Sequence, residues 1–185
     1  MMKLQAILRF IGLPNSNKHG KETEMAAGGF SREKGKRAER QVVQMLQPVV
    51  NEVYGALGCP QDQIPLLQRN TIQAHKGGYD IVGLDWLALE VKHQETLKVD
   101  DWWEQTVRQA QGGKEPILFY KRNSQRWRIQ MYGQIEIYGT ISEKDEGRPR
   151  RVRTPVDISA DVFLIYFRER LLAELGYKKG MPNGT

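Results

Sequence analysis

The residues best suited to chemistry lie close together in the stretch GGYDIVGLDWLALEVKHQ, residues 77–94. So apolar a run reads as a buried strand or hairpin, yet it carries Asp80, Asp85, Glu90 and Lys92. Unpaired charge is costly to bury, so these groups call for an ion pair or for a reaction. Two or three carboxylates converging on one point bind a hard divalent cation, Mg²⁺ or Mn²⁺, which polarises a phosphoryl oxygen and lowers the pKa of a bound water. A lysine two residues from one of those ligands, on the same strand face, can orient the water or neutralise charge that develops on phosphorus. Rigid strands suit such a set because a metal needs ligands held in place.

In WLALEVK the alternation sends Leu87, Leu89 and Val91 to one face and Trp86, Ala88, Glu90 and Lys92 to the other. Taking Gly83-Leu84-Asp85 as a three-residue loop puts Asp80 opposite Ala88, on the face of Glu90 and one diagonal step away. A two-residue loop would flip it. Asp85 competes with Asp80 but falls in the turn, where aspartate is common for local reasons. The plainer alternative is a solvated sheet face on which Glu90 pairs with Lys92.

The surrounding elements must position these groups. A helix is predicted from Ser31, a plausible N-cap, through REKGKRAERQVVQML, with Pro48 ending it nearby. Its apolar stripe of Val42, Val43 and Leu46 extends back to Glu39, which puts that carboxylate on or beside the buried face. LLQRNTIQA, residues 66–74, suggests a strand ahead of the hairpin. A second helix follows the lysine strand, capped by Asp100 or Asp101 and stopped at Gly112-Gly113. Its packing stripe is Trp103, Val107 and Ala110, with Gln105 and Gln109 near it. PILFYK and RWRIQMY read as two strands joined by the turn-like RNSQ. EKDEGRPRRVRTP is expected to be a charged loop, followed by a helix from Ser159 or Asp161 to Gly176. Residues 1–30 read as an extension, a short amphipathic helix (Leu4, Ile7, Leu8, Ile11) plus the linker PNSNKHGKETEMAAGG. The order of helices and strands predicts an α/β fold, a central mixed sheet flanked by helices. Residues 31–135 form its core, and 136–185 add a basic loop and a helix to the same domain.

Composition narrows the partners. The net charge is +6. Residues 60–120 hold six Lys/Arg against nine Asp/Glu, leaving 22 basic and 13 acidic groups elsewhere. An acidic centre in a basic frame suits a metal site surrounded by phosphate contacts, although a solvated basic surface explains the frame equally well. The single cysteine, Cys59, excludes an internal disulfide and fits a reducing compartment. His19, His75 and His93 are too scattered to make a zinc site with it. No apolar run reaches membrane-spanning length, and the chain reads as cytoplasmic.

Taken together, Gly78-Tyr79-Asp80 and Glu90-Val91-Lys92 resemble the two halves of the PD-(D/E)XK motif of restriction-endonuclease-like nucleases, with the proline before Asp80 missing. KGKRAERQVVQML resembles the first helix of archaeal-type Holliday junction resolvases, and EQTVRQA the glutamine-bearing helix of that family and of phage-encoded resolvase-like nucleases. The resemblance spans about residues 31–130. It implies a restriction-endonuclease-like core with Asp80 and Glu90 as metal ligands, Lys92 orienting water or stabilising charge, and Glu39 as a further carboxylate. Gln105 is a lesser candidate for a supporting or backbone contact, and Gln109 a weaker one. The long N-terminal extension and the C-terminal helix have no counterpart in it.

Lys34, Lys36, Arg37 and Arg40 surround Glu39, and Arg69, Lys121, Arg122, Arg126 and Arg128 could extend a phosphate track. Arg148, Arg150, Arg151 and Arg153 could wrap DNA as a flexible arm. Trp102, Trp103 and Trp127 read as core. Nothing visible reads base sequence, so the expectation is a structure-specific DNA endonuclease that cuts four-way junctions as a homodimer. The alternatives are a nuclease for flaps, ends or mismatches, a non-catalytic DNA-binding protein, and an RNA-cleaving enzyme.

Overall fold

The structure is a computed structural model that describes residues 16–71, 78–137 and 150–180, without the side chains of 16–29 and 177–180. The expected helix at Leu4–Ile11, the last part of the strand expected to reach residue 74, and Arg148 lie outside the described residues. The chain divides into two compact units, Met1–Lys34 and Gly35–Thr185, and the second holds the sheet and the helices packed on it.

Helix α1 spans Ser16–Ala56. It begins well before Ser31, so part of the stretch expected to be linker is helical. It also runs through Pro48, against expectation. Proline inside a helix removes a hydrogen bond and costs about 3 kcal/mol. Here Pro48 lies on the exposed face beside exposed Gln44, so water can satisfy the freed carbonyl. The opposite face buries Ala38, Val42, Leu46, Val50 and Val53, each at most 1% exposed. Burial of that size outweighs the proline.

The sheet has six strands, β1 (Gln68–Arg69), β2 (Ile81–Val82), β3 (Leu87–His93), β4 (Glu115–Lys121), β5 (Arg128–Ile137) and β6 (Arg150–Ser159), side by side in chain order. All neighbours are antiparallel except β3 and β4, which run parallel. Their crossover is helix α2, Val99–Gln109. Helix α3, Ala160–Gly180, closes the chain.

Strand alternation splits the core as expected. Leu87, Leu89, Val91, Ile117, Phe119 and Ile129 face α1 and α3, packing with Val42, Leu46, Phe163 and Phe167. Leu118 and Tyr120 face α2, packing with Trp102 and Trp103. Ala88 and Glu90 share that second face by alternation. Trp86 does not join them: it precedes β3 in the turn and its ring lies against Phe167 of α3. The three tryptophans Trp102, Trp103 and Trp127 are buried.

Several expected details change. Ile81 pairs with Leu89, so the connection is longer than three residues and Asp80, just before β2, is bonded to Leu89 and Val91 instead of facing Ala88. The hairpin accommodates this at Gly83, whose φ of 127° is closed to most side chains. β1 is only two residues long. The N-cap of α2 is Lys98, without a side-chain cap bond, and Asp100 and Asp101 fall in the first turn, where carboxylates still suit the helix dipole. Arg150, Arg151 and Arg153 belong to strand β6, not to a charged loop or a flexible arm. β6 tolerates Pro155 because it lies at the sheet edge. Helix α3 starts where Ser159 Oγ accepts the amide of Val162 at 3.3 Å, and it passes Gly176 to end at Gly180.

Candidate active site

The longer connection brings the hairpin acids together. Asp80 is 8% exposed and Glu90 1% exposed. The amide of Val91 donates to Asp80 Oδ2 at 2.7 Å. The Asp80 amide donates to the Leu89 carbonyl at 2.8 Å, and the Asn70 amide to the Asp80 carbonyl at 2.7 Å. Asp80 is therefore fixed through its main chain from both sides and through its side chain. Asn70 adds a bond from Nδ2 to the Tyr79 carbonyl at 3.0 Å. Asp85 is exposed in the turn, where its carbonyl accepts from Lys114 Nζ.

Glu90 Oε1 receives two donors. Lys92 Nζ lies 2.6 Å away, and Gln105 Nε2 of α2 donates at 3.2 Å. Glu90 Oε2 is buried and has no hydrogen-bond partner among the described residues. Burial, and next the negative charge of Asp80, push the Glu90 pKa up to about 7 against the opposing pull of Lys92. A buried carboxylate with an unsatisfied oxygen beside a second carboxylate is the donor set a hard divalent cation takes. The residues present fit such an ion. Among the described residues no cluster of three or more His, Cys, Asp or Glu side chains gathers, so the acids in place are this pair.

Glu39 arrives from another direction. α1 covers the Leu89 and Val91 face, not the Glu90 and Lys92 face, so Glu39 does not lie across the pair. Its Oε2 accepts from Arg69 Nε at 2.5 Å. Its negative charge is still felt at Glu90, as the smallest of the effects that act there. The spacing that placed Glu39 beside the buried helix face held: Glu39 directly follows buried Ala38.

The basic candidates separate. Arg37 and Arg40 are exposed and Lys36 half-buried at the start of the second unit, while Lys34 belongs to the first. Arg69 is engaged with Glu39. Lys121 donates to Gln41 Oε1 at 3.0 Å and lies over the Trp127 ring. Arg122 and Arg126 are exposed in the β4–β5 connection. Arg128 pairs with Asp157 of β6. Gln109 Oε1 is buried without a partner among the described residues.

Sequence reasoning missed Asn70, which only its place directly after Arg69 could have flagged. It also missed Asp157, whose strand it read past, and the role of Tyr120 beside Lys92 in the register. Gln105, a lesser candidate for a supporting contact, does contact Glu90.

The family model described as "Phage putative PDDEXK endonuclease" matches residues 30–161. Among solved structures, the Holliday junction resolvase Hjc of Archaeoglobus fulgidus is 22% identical, with 71% of this chain and 88% of that chain covered and a TM-score of 0.34. No curated protein matches. Among the described residues no helix is long and apolar enough to cross a membrane.

Proposed function

We propose that this chain, which belongs to the phage PDDEXK endonuclease family, is a metal-dependent, structure-specific DNA endonuclease that nicks four-way junctions. The observation that carries the chemistry is the buried pair Asp80 and Glu90 with Lys92 Nζ 2.6 Å from Glu90. Asp80 and Glu90 would hold Mg²⁺ or Mn²⁺. When bound, such an ion supplies Lewis acidity toward a phosphoryl oxygen and acidifies a water.

The chain's own groups do the rest. Lys92 is half-buried and held at its ammonium by Glu90, so it can donate to a phosphoryl oxygen as negative charge builds there, or align the attacking water. Gln105 and Lys92 both occupy Glu90 Oε1 and leave Oε2 for the ion. The amide of Val91 keeps the Asp80 carboxylate turned toward the same strand. Glu39, joined to Arg69, is a further carboxylate at the edge of this centre.

The four-way junction follows from the resemblance of the Glu39 helix and the Gln105 helix to junction resolvases, and from the lack of a base-reading element. Two symmetric nicks in a junction call for a two-fold dimer. Exposed Arg37 and Arg40 beside Glu39 would carry phosphates of one arm.

The test is cleavage of a labelled synthetic four-way junction beside matched duplex, flap and single-strand controls, with Mg²⁺ or EDTA, by wild type and Lys92→Ala. Paired symmetric nicks in the junction alone, absent with EDTA and in the variant, are expected. Metal-dependent cutting of the other substrates instead would retain the centre and remove the junction preference. Binding of DNA without any cutting would remove the enzyme. Light scattering that finds a monomer at micromolar concentration, with and without DNA, would remove the dimer.

A further inference from the structure

The register of the sheet carries the active-site face sideways. Lys92 lies beside Tyr120, and Tyr120 lies opposite Arg128, all on the α2 face. At about 4.8 Å per strand, Arg128 is roughly 10 Å from Lys92, about three nucleotides of axial rise. Between β4 and β5 a turn with Ser124 at a left-handed φ of 57° sets Arg122 and Arg126 around a groove that Tyr120 and Arg128 also line. The lining includes Lys121 as a fourth basic residue and contains no acid.

Asp157, from β6, binds the floor of this groove. Its Oδ2 accepts the Tyr120 hydroxyl. Its Oδ1 accepts Arg128 Nε at 2.5 Å and also Arg128 Nη2. Its carbonyl accepts Nη2 at 3.4 Å. Tyr120 is 7% exposed, whereas the Arg128 side chain remains 49% exposed. One edge of the guanidinium is thus anchored on a buried tyrosine and an aspartate, while much of the side chain still faces solvent. Exposed ion pairs add little to stability. Fixing a long cationic side chain before a ligand arrives, in contrast, removes an ordering cost from binding.

We propose that this groove is a subsite for a DNA backbone phosphate flanking the reacting one, and that Asp157 is the positioning residue that aims Arg128 into it. The identity of the ligand as DNA rests on the function proposed above. Arg128 supplies the charge, and Asp157, seconded by Tyr120, supplies its direction.

The experiment measures binding of a fluorescent four-way junction and of a duplex with the same arm sequence, in EDTA, as a function of salt. Cleavage of the same DNAs is followed separately with Mg²⁺. Arg128→Gln is expected to weaken binding about tenfold and to lower the slope of log K against log salt by about 0.9, the value for one lost phosphate contact. Asp157→Asn keeps the cation but releases it, so affinity falls about threefold with the slope unchanged. Arg128→Lys retains the slope and recovers part of the affinity. Arg168→Gln, on the outer side of α3 where Arg168 meets Glu52, changes neither.

A thermal melt of each variant separates loss of fold from loss of aim. An unchanged slope in Arg128→Gln overturns the subsite. Unchanged or increased affinity in Asp157→Asn overturns the positioning role, as does a loss of affinity that merely follows a lower melting temperature, and failure of wild type to bind either DNA overturns both. The expected binding pattern without any cleavage upholds the subsite and removes the nuclease.

Discussion

Gln105 Nε2 donates to Glu90 Oε1 at 3.2 Å and joins helix α2 to a carboxylate that is 1% exposed. The same oxygen is 2.6 Å from Lys92 Nζ. Gln105 therefore steadies the acid that also holds the lysine ammonium. Gln105→Leu is expected to lower kcat by about 10–100-fold, the usual effect of removing a group that supports a metal ligand. KM for DNA should stay within about twofold. Gln105→Glu, which sets a third negative charge against Glu90, should be worse. Steady-state kinetics on the preferred substrate measures both, and a wild-type kcat in Gln105→Leu would show that the contact is incidental.

Stability should depend on pH through Glu90. Its pKa is raised to about 7 from an ordinary value of 4.5, first by burial and then by Asp80. The folded state therefore prefers the protonated acid. The stabilisation is complete below about pH 4.5 and is lost as pH rises through about 7. In metal-free protein Glu90→Gln, which cannot ionise, is expected to melt several degrees above wild type at pH 8. The gap should close as pH falls toward 5. Thermal melts across this range in EDTA test it, and a gap independent of pH would remove the ionisation of Glu90 as its cause.

Metal should act in the opposite sense. Binding to Asp80 and Glu90 requires both as carboxylates, so the affinity rises with pH. Millimolar Mg²⁺ or Mn²⁺ is expected to raise the melting temperature at pH 8 more than at pH 6, by an amount that grows with the logarithm of metal concentration. Asp80→Asn should abolish that increase. Retention of the full increase in Asp80→Asn would place the ion elsewhere.

Gly83 tests the hairpin that aligns the two acids. Its φ is 127°, and an added Cβ would stand 2.6 Å from the Leu66 carbonyl oxygen and 3.1 Å from Leu67 Cα. Both contacts are backbone atoms, which cannot swing aside. Gly83→Ala should cost about 2–4 kcal/mol through strain and displacement of the loop. It should also lower activity more than its stability loss explains. Urea denaturation and single-turnover cleavage read the two effects.

The two faces of β3 were legible in the sequence because period-two alternation survives burial on both sides: Leu89 and Val91 meet α1 while Glu90 meets α2. The hairpin register was not, because loop length is decided by how Gly83 and Leu84 settle against Leu66 and Leu67, which local spacing does not contain. Pro48 misled for a related reason. Its local cost is fixed, whereas the burial of Leu46 and Val50 that overrides it is tertiary. Strand β6 was hidden by Arg150, Arg151 and Arg153, which are charged because an edge strand is solvated and not because the segment is a loop. Glu39 was legible as a carboxylate beside the buried stripe. Which face of the sheet α1 would cover was not, so its pairing with Arg69 appeared only in the fold.

The strand order has a kinetic consequence. Asp80 directly precedes β2 and Glu90 lies on β3 of the same hairpin, so they meet when a loop of only a few residues closes, an event of microseconds. Gln105 comes into place only with the crossover helix, and the Glu39 and Arg69 pair only when α1 docks. The repelling acids can therefore meet while they are still hydrated and their repulsion is weak, and Glu90 loses its water only when α2 covers it.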